Sequence, residues 1–246
     1  MLIFLTSDIH PVAEAFKEGI LLLGTDPVTA AEAPGPGSLP LAGRLMVLVF
    51  TVLAMLLLRN FLGVFPYLVR SFFRARGNAA LEGSVRVSRD RNIMALVFII
   101  PFCVLMYRYR LWAPSFLDYF IPDVKILLTA SAFALCLVLR AALCHAFVPK
   151  RTNHDNYFLA RKSAYNYFIL LVVLQLVTVG ILTLLQVSDE VTRVVLLAES
   201  AFIYMVLILR RGQILSASCN PLTTFSYLCA LEILPTALFV LPAALL

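Results

Sequence analysis

The sequence is short of charged residues. Asp, Glu, Lys and Arg make up 14% of its 246 residues, against about 25% in an average soluble protein. The hydrophobic fraction is 61% and the mean hydropathy is +0.93, so too few polar side chains are present to cover a water-soluble globule. These values exclude a soluble protein and predict an integral membrane protein.

Sequence signals for catalysis and cofactor binding are also missing. The chain contains no His-Glu metal motif, no nucleophile elbow, no glycine-rich phosphate loop and no aspartate-rich cation site. Its three histidines are scattered, and Cys144-His145 with His154 fits no zinc spacing. Three of the five cysteines lie inside predicted spans and two near the predicted cytoplasmic face, so we expect no disulfide framework. We therefore expect no enzymatic activity, no cofactor and no metal site.

Residues 1–40 contain no apolar run long enough to cross a bilayer. Apolar side chains recur at helical spacing over 11–24, which predicts an amphipathic helix lying on the membrane surface. The Pro-Gly-rich stretch 33–38 predicts a flexible linker. The sequence thus divides into a periplasmic or interfacial segment, 1–40, and a membrane domain, 41–246.

The membrane domain is predicted to be all-α, with about six transmembrane helices. About twenty apolar residues in a helix match the ~30 Å hydrocarbon core. The predicted spans are 41–58, 92–107, 124–142, 165–185, 191–209 and 223–246. The apolar run 61–73 contains Pro66 and Arg70, and we expect it to continue along the interface rather than to cross. Residues 74–91 and 144–164 are predicted loops.

Lys and Arg divide unequally between the two sets of alternate loops, fourteen against six. The richer side is expected to be cytoplasmic, which predicts a multi-pass protein of the inner (cytoplasmic) membrane with both termini in the periplasm. The net charge of +6 is then explained by basic residues that set the orientation in the membrane, and it does not predict a nucleic-acid partner. Anionic lipid head groups are the expected partners of five arginines in the 74–91 stretch: Arg74, Arg76, Arg86, Arg89 and Arg91.

Few polar side chains lie inside the predicted spans. Those able to form a site are Arg140, Gln175, Glu199 and Glu232. One interpretation is that the glutamates take up protons or coordinate a cation, because burial favours the neutral form of a carboxyl group. The other is that they only fix helix packing through ion pairs or hydrogen bonds. Pro235 adds a kink next to Glu232, because it cannot donate to the carbonyl of Leu231.

Depth in the bilayer predicts how these side chains pair. Counting about 1.5 Å per residue places Arg140 roughly 6 Å and Glu232 about 10–14 Å from the cytoplasmic boundary, which predicts an ion pair. Glu199 enters from the opposite side, so we expect it to be protonated and to meet a neutral partner such as Gln175. Arg140→Leu should then lower the folded yield, and adding Glu232→Leu should restore it.

The sequence resembles a known family at several points. The stretch from Tyr227 to Pro235, together with Arg91-Asn92, Pro101-Phe102 and residues 107–109, is similar to the Bacteroidota membrane proteins grouped as domain of unknown function 4271. The resemblance leaves residues 1–80 outside it. It implies a Gram-negative inner membrane and supplies no mechanism.

Three classes of function remain open. The leading hypothesis is a non-catalytic structural or accessory subunit of an envelope assembly or transport system, with the lipid bilayer and other membrane proteins as its partners. The alternative is a small proton- or cation-coupled transporter that uses Glu199 and Glu232. A third class is a lipid-modifying enzyme whose arginine clusters hold head groups.

Overall fold

The computed structural model describes residues 39–73, 83–146, 154–216 and 221–245. Within these ranges all regular structure is helical. The amphipathic segment and linker predicted for 1–40 lie outside the described residues, except for the last two positions, and stay predictions. The helices are α1 Leu41–Phe73, α2 Val85–Val97, α3 Ile99–Arg108, a 3₁₀ turn Ser115–Tyr119, α4 Pro122–Ala146, α5 His154–Leu184, α6 Asp189–Ser216, α7 Pro221–Leu228 and α8 Leu234–Leu245.

Six stretches of the described chain are long and apolar enough to cross a membrane, as the sequence predicted. They are Leu41–Phe72, Val85–Arg108, Pro122–Ala146, Tyr157–Leu184, Asp189–Ser216 and Thr224–Leu241. Large apolar side chains such as Met55 and Leu56 on α1 and Leu184 on α5 are exposed. That pattern is typical of helices that face lipid. The expected class, an all-α multi-pass membrane protein, is confirmed.

The first crossing is longer than predicted. Helix α1 runs without a break through 33 residues and contains Pro66, so 61–73 is not a separate interfacial piece. At about 1.5 Å per residue the helix is roughly 50 Å long, well beyond a ~30 Å core. The proline is tolerated because the turns on either side of it are packed. Val64 and Leu68 are buried against Met94 of α2 and Ile169 of α5.

The second crossing begins earlier than predicted and is interrupted. Helix α2 starts at Val85, so the arginine-rich stretch 74–91 is not a loop throughout. The break between α2 and α3 lies at Phe98. Pro101 explains it, because a proline has no N–H to donate to the carbonyl four residues earlier and its ring crowds that turn.

Helices α5 and α6 form an antiparallel hairpin. The turn between them is short, and Gln186 adopts a positive φ of 53° in it. Because α5 begins at His154, the predicted loop 144–164 is helical over its second half. Tyr157 and Ser163, placed in that loop by the sequence, are instead buried in the bundle.

Candidate intramembrane site

The last crossing is a helix with one widened turn. Between α7 and α8, residues Cys229–Ile233 form a π turn, and the N–H of Leu234 donates to the carbonyl of Cys229, five residues earlier. Pro235 is the second residue after the turn, and it has no N–H with which to form a normal α-helical hydrogen bond. Such single π turns occur frequently at functional sites. This one contains Glu232.

Glu232 is 3% exposed and is bound by two arginines. Arg140 of α4 donates from Nη2 to Glu232 Oε1 at 3.1 Å. Arg211 of α6 forms a still closer ion pair with the same oxygen through Nη1. We call Arg140, Arg211 and Glu232 the charged triad. It joins three crossings and carries a formal charge of +1.

Arg211 extends the triad to a fourth crossing. Its side chain is buried, and it donates to Ser163 Oγ at 3.3 Å and to the carbonyl of Arg161 at 3.1 Å, both on α5. A guanidinium presents several N–H donors in a fixed plane, so one side chain can satisfy acceptors on two helices. Arg211 therefore connects the triad to α5.

The backbone of the π turn is held by hydroxyl groups. Tyr204 of α6 donates to the carbonyl of Glu232 at 3.0 Å, and Thr236 also donates to that carbonyl. The hydroxyls of Tyr204 and Thr236 lie 2.6 Å apart. Cys136 of α4 has its Sγ 3.7 Å from the carbonyl of Pro235. Side chains thus bind carbonyls that the irregular helix exposes, which a membrane interior requires.

The open space beside the triad is small. A cavity of about 10 Å³ lies between α4, α5, α6 and the last crossing, which is about the size needed for one water molecule. Its lining includes Tyr227, whose ring lies edge-on to Tyr157 at 5.7 Å between centroids. This cavity has no room for an organic substrate.

The predicted contact between Arg140 and Glu232 is present, and that prediction is confirmed. Arg211 was missed, because the sequence analysis ended the fifth span at residue 209 and took Arg210 and Arg211 as its boundary. A signal was available in the buried stripe of α6. Residues Leu196, Ile203, Leu207, Arg211 and Leu215 recur at helical spacing and all face inward.

Arg211 also changes the prediction that adding Glu232→Leu restores the folded yield lost in Arg140→Leu. With Arg140 and Glu232 both replaced by Leu, Arg211 would remain buried without its counter-charge. The double variant should therefore stay destabilised.

A second polar group lies between α5 and α6, and we call it the neutral seam. Gln175 is fully buried and donates from Nε2 to Ser200 Oγ at 2.9 Å. Thr178 donates to Glu199 Oε1 at 2.5 Å. The hydrogen-bond partner of Glu199 is therefore Thr178 and not Gln175. Thr178 is, however, a neutral residue on the fourth crossing, which is the kind of partner that the sequence analysis expected. Gln175 Oε1 and Glu199 Oε2 are buried without a hydrogen-bond partner among the described residues.

The arginines predicted to contact lipid head groups differ in exposure. Arg86 and Arg89 are exposed, whereas Arg91 is completely buried. Arg91 donates to Ser88 Oγ at 3.2 Å and to Asn92 Oδ1 at 2.9 Å. It is therefore not a head-group contact, because α2 turns it toward the protein interior. Arg74 and Arg76 lie outside the described residues.

No group of three or more His, Cys, Asp or Glu side chains able to hold a metal ion occurs in the described part of the chain. The four described cysteines, Cys103, Cys136, Cys144 and Cys229, are not disulfide-bonded.

A comparison with protein families completes the description of the site. The family described as Domain of unknown function (DUF4271) matches residues 44–240. The chain belongs to this family. The DUF4271 region includes four complete predicted spans and most of the first and the last, so the similarity begins well before residue 81, where the sequence resemblance placed it. All residues of the charged triad and of the neutral seam lie within the DUF4271 region. No curated protein and no solved structure matches the chain.

Proposed function

We propose that this DUF4271 protein is a non-catalytic subunit of the inner membrane, with a structural or accessory role in an envelope assembly or transport system. The observation that carries the proposal is the charged triad. Its carboxylate is bound by two guanidinium groups from two other crossings, and the space beside it is about the size of one water molecule. The charged triad thus connects helices to one another.

The small amount of loop supports the same proposal. The described connections 109–121 and 185–188 are short, and neither could fold as a soluble domain. The protein would act through helix faces and lipid-facing ends. Exposed apolar surface on α1 is available for other membrane proteins or for lipid.

Native size and composition test the accessory role. We would tag the chromosomal copy after Leu246, extract it in mild detergent and measure particle mass and protein content. A complex larger than the 27.3 kDa chain, with a second membrane protein in fixed ratio, is expected. An unrelated six-helix protein tagged in the same way is the control. A solitary monomer in both detergent and native membrane fragments would contradict the proposal.

The proposed orientation places both termini in the periplasm. It is supported by the distribution of Lys and Arg, because fourteen of the twenty lie in the loops and adjoining helix segments on the side that would be cytoplasmic. A reporter active only in the periplasm should work when fused after Leu246 and fail when fused at Gly83. The reverse pattern would invert the topology.

A proton-coupled transporter is the second candidate, and the neutral seam is the observation that favours it. Glu232 is a poor carrier, because freeing it from Arg140 and Arg211 would leave buried charges uncompensated. Glu199 has one buried oxygen without a partner in the described chain. Vesicles with a pH gradient would show substrate flux that Glu199→Gln abolishes.

Lipid analysis of a deletion strain tests the third class, a lipid-modifying enzyme, through accumulation of an unmodified lipid.

A further inference from the structure

The neutral seam contains two hydrogen-bond acceptors that lack a donor. Gln175 Oε1 and Glu199 Oε2 are both shielded from solvent, and neither has a partner in the described residues. A buried acceptor without a donor typically costs about 1–3 kcal/mol. The other polar atoms of the seam are already bound, since Gln175 Nε2 reaches Ser200 and Glu199 Oε1 receives the Thr178 hydroxyl.

The two sides of the seam lie at a similar depth. Glu199 is ten residues from the start of α6, about 15 Å along the helix, and Gln175 is nine residues from the end of α5, about 14 Å. Because α5 ends and α6 begins at the same short turn, both side chains lie about half of the ~30 Å hydrocarbon core away from it. An ionised carboxylate at this depth needs a neutralising partner.

No cationic side chain of the described residues is recorded as that partner. The helices packed around Glu199 carry these charged or titratable groups: Arg193 and Tyr204 on α6, Tyr167 on α5, and Arg108 and Tyr109 at the end of α3. Arg193 is exposed, Arg108 is paired with Asp189, and Tyr204 binds the π turn. None of the five makes a hydrogen bond or an ion pair with Glu199.

A metal ion fits the seam poorly. Five side-chain oxygens are present, and three of them already take part in hydrogen bonds. A hard cation such as Ca²⁺ takes about six to eight oxygen ligands. A proton requires only one oxygen to hold it and one to accept its hydrogen bond.

We propose that the seam is an intramembrane proton-binding site in which Glu199 Oε2 holds the proton and the Gln175 amide oxygen accepts its hydrogen bond. One proton then neutralises the carboxyl group and supplies the donor that both unpartnered oxygens lack. This inference goes beyond the accessory role, which does not depend on it.

Infrared spectroscopy of the full chain in lipid vesicles tests the site directly. A protonated carboxyl group gives a carbonyl-stretch band distinct from that of a carboxylate. We expect this band at neutral pH, with a downshift in D₂O, loss in Glu199→Gln and a shift in Gln175→Leu because the hydrogen bond is removed. Glu190→Gln, at an exposed acid on the same helix, should leave the band unchanged.

Three results would overturn the proposal. These are a carboxylate band from Glu199 at neutral pH, a band insensitive to Gln175→Leu, and loss of the band on adding Na⁺. If Glu199→Gln fails to fold, ¹³C-labelled glutamate in the unaltered chain assigns the band to a glutamate side chain, since the carbonyl-stretch frequency must then fall in the labelled protein. A band whose frequency is unchanged by the label would count equally against the site.

Discussion

Glu232 and Glu199 lie on adjacent crossings, and the protein accommodates them differently. Glu232 is bound by Arg140 and Arg211 and lies in an irregular π turn. Glu199 lies in a regular helix and receives only a hydroxyl from Thr178. A carboxyl group inside a bundle can be stabilised by opposite charge, as Glu232 is, or by remaining neutral, as we propose for Glu199, and these two solutions have different consequences for mutation.

The largest expected effect is the loss of the carboxylate from the charged triad. Glu232→Gln leaves the buried Arg211 and the half-buried Arg140 without a counter-charge, which should lower the free energy of unfolding by about 3–5 kcal/mol. Trp112, the single tryptophan, stacks on Phe239 of α8, so its fluorescence reports release of the last crossing during denaturation in detergent. Glu190→Gln is the exposed control. A loss no greater than that of the control would contradict the triad.

The next effect is a rescue that depends on Arg211. Replacing the whole triad, as Arg140→Met, Arg211→Met and Glu232→Leu, should recover most of the stability lost in Glu232→Gln, because replacing a buried ionic cluster with apolar residues is often neutral or stabilising by about 1–4 kcal/mol. The double variant Arg140→Leu with Glu232→Leu should not recover. The same unfolding measurement compares them. Equal recovery of both variants would show that Arg211 does not need Glu232.

Smaller effects are expected in the neutral seam. Thr178→Val removes the hydroxyl that binds Glu199, and hydrogen bonds between membrane helices average about 0.6 kcal/mol, with a maximum near 1.7. Stability should fall by an amount in that range. Thr183→Val, at an exposed position of the same helix, is the matched control. A loss of several kcal/mol would mean that Glu199 is held as an ion rather than as a neutral group.

The smallest effect should come from Glu199→Gln itself. The amide has nearly the shape of a protonated carboxyl group, can accept from Thr178 and can donate to Gln175, so the change in free energy of unfolding should be below about 0.6 kcal/mol. Measuring the free energy of unfolding of Glu199→Gln and Glu232→Gln in the same assay compares the two glutamates directly. Similar losses for the two variants would show that both glutamates are ionised, and the difference between the two regions would disappear.

The order of the crossings could be predicted from composition because lipid imposes a simple rule on length and polarity. The contact between Arg140 and Glu232 followed from depth, since two opposite charges at similar depths in a bundle have few other partners. The extent of α1 could not be predicted from Pro66, because packing of Val64 and Leu68 on Met94 and Ile169 outweighs the local penalty of the proline.

The sequence alone determined that this is a helical membrane protein, roughly where each helix crosses, and that Arg140, Gln175, Glu199 and Glu232 lie within the crossings. Only the tertiary structure decided which way those side chains face. Arg211 and Arg91 both belong to basic runs typical of a membrane boundary, yet both are buried. The reason is physical: depth is a property of position along the chain, whereas the direction of a side chain depends on helix rotation, and rotation is set by the neighbours against which each helix packs.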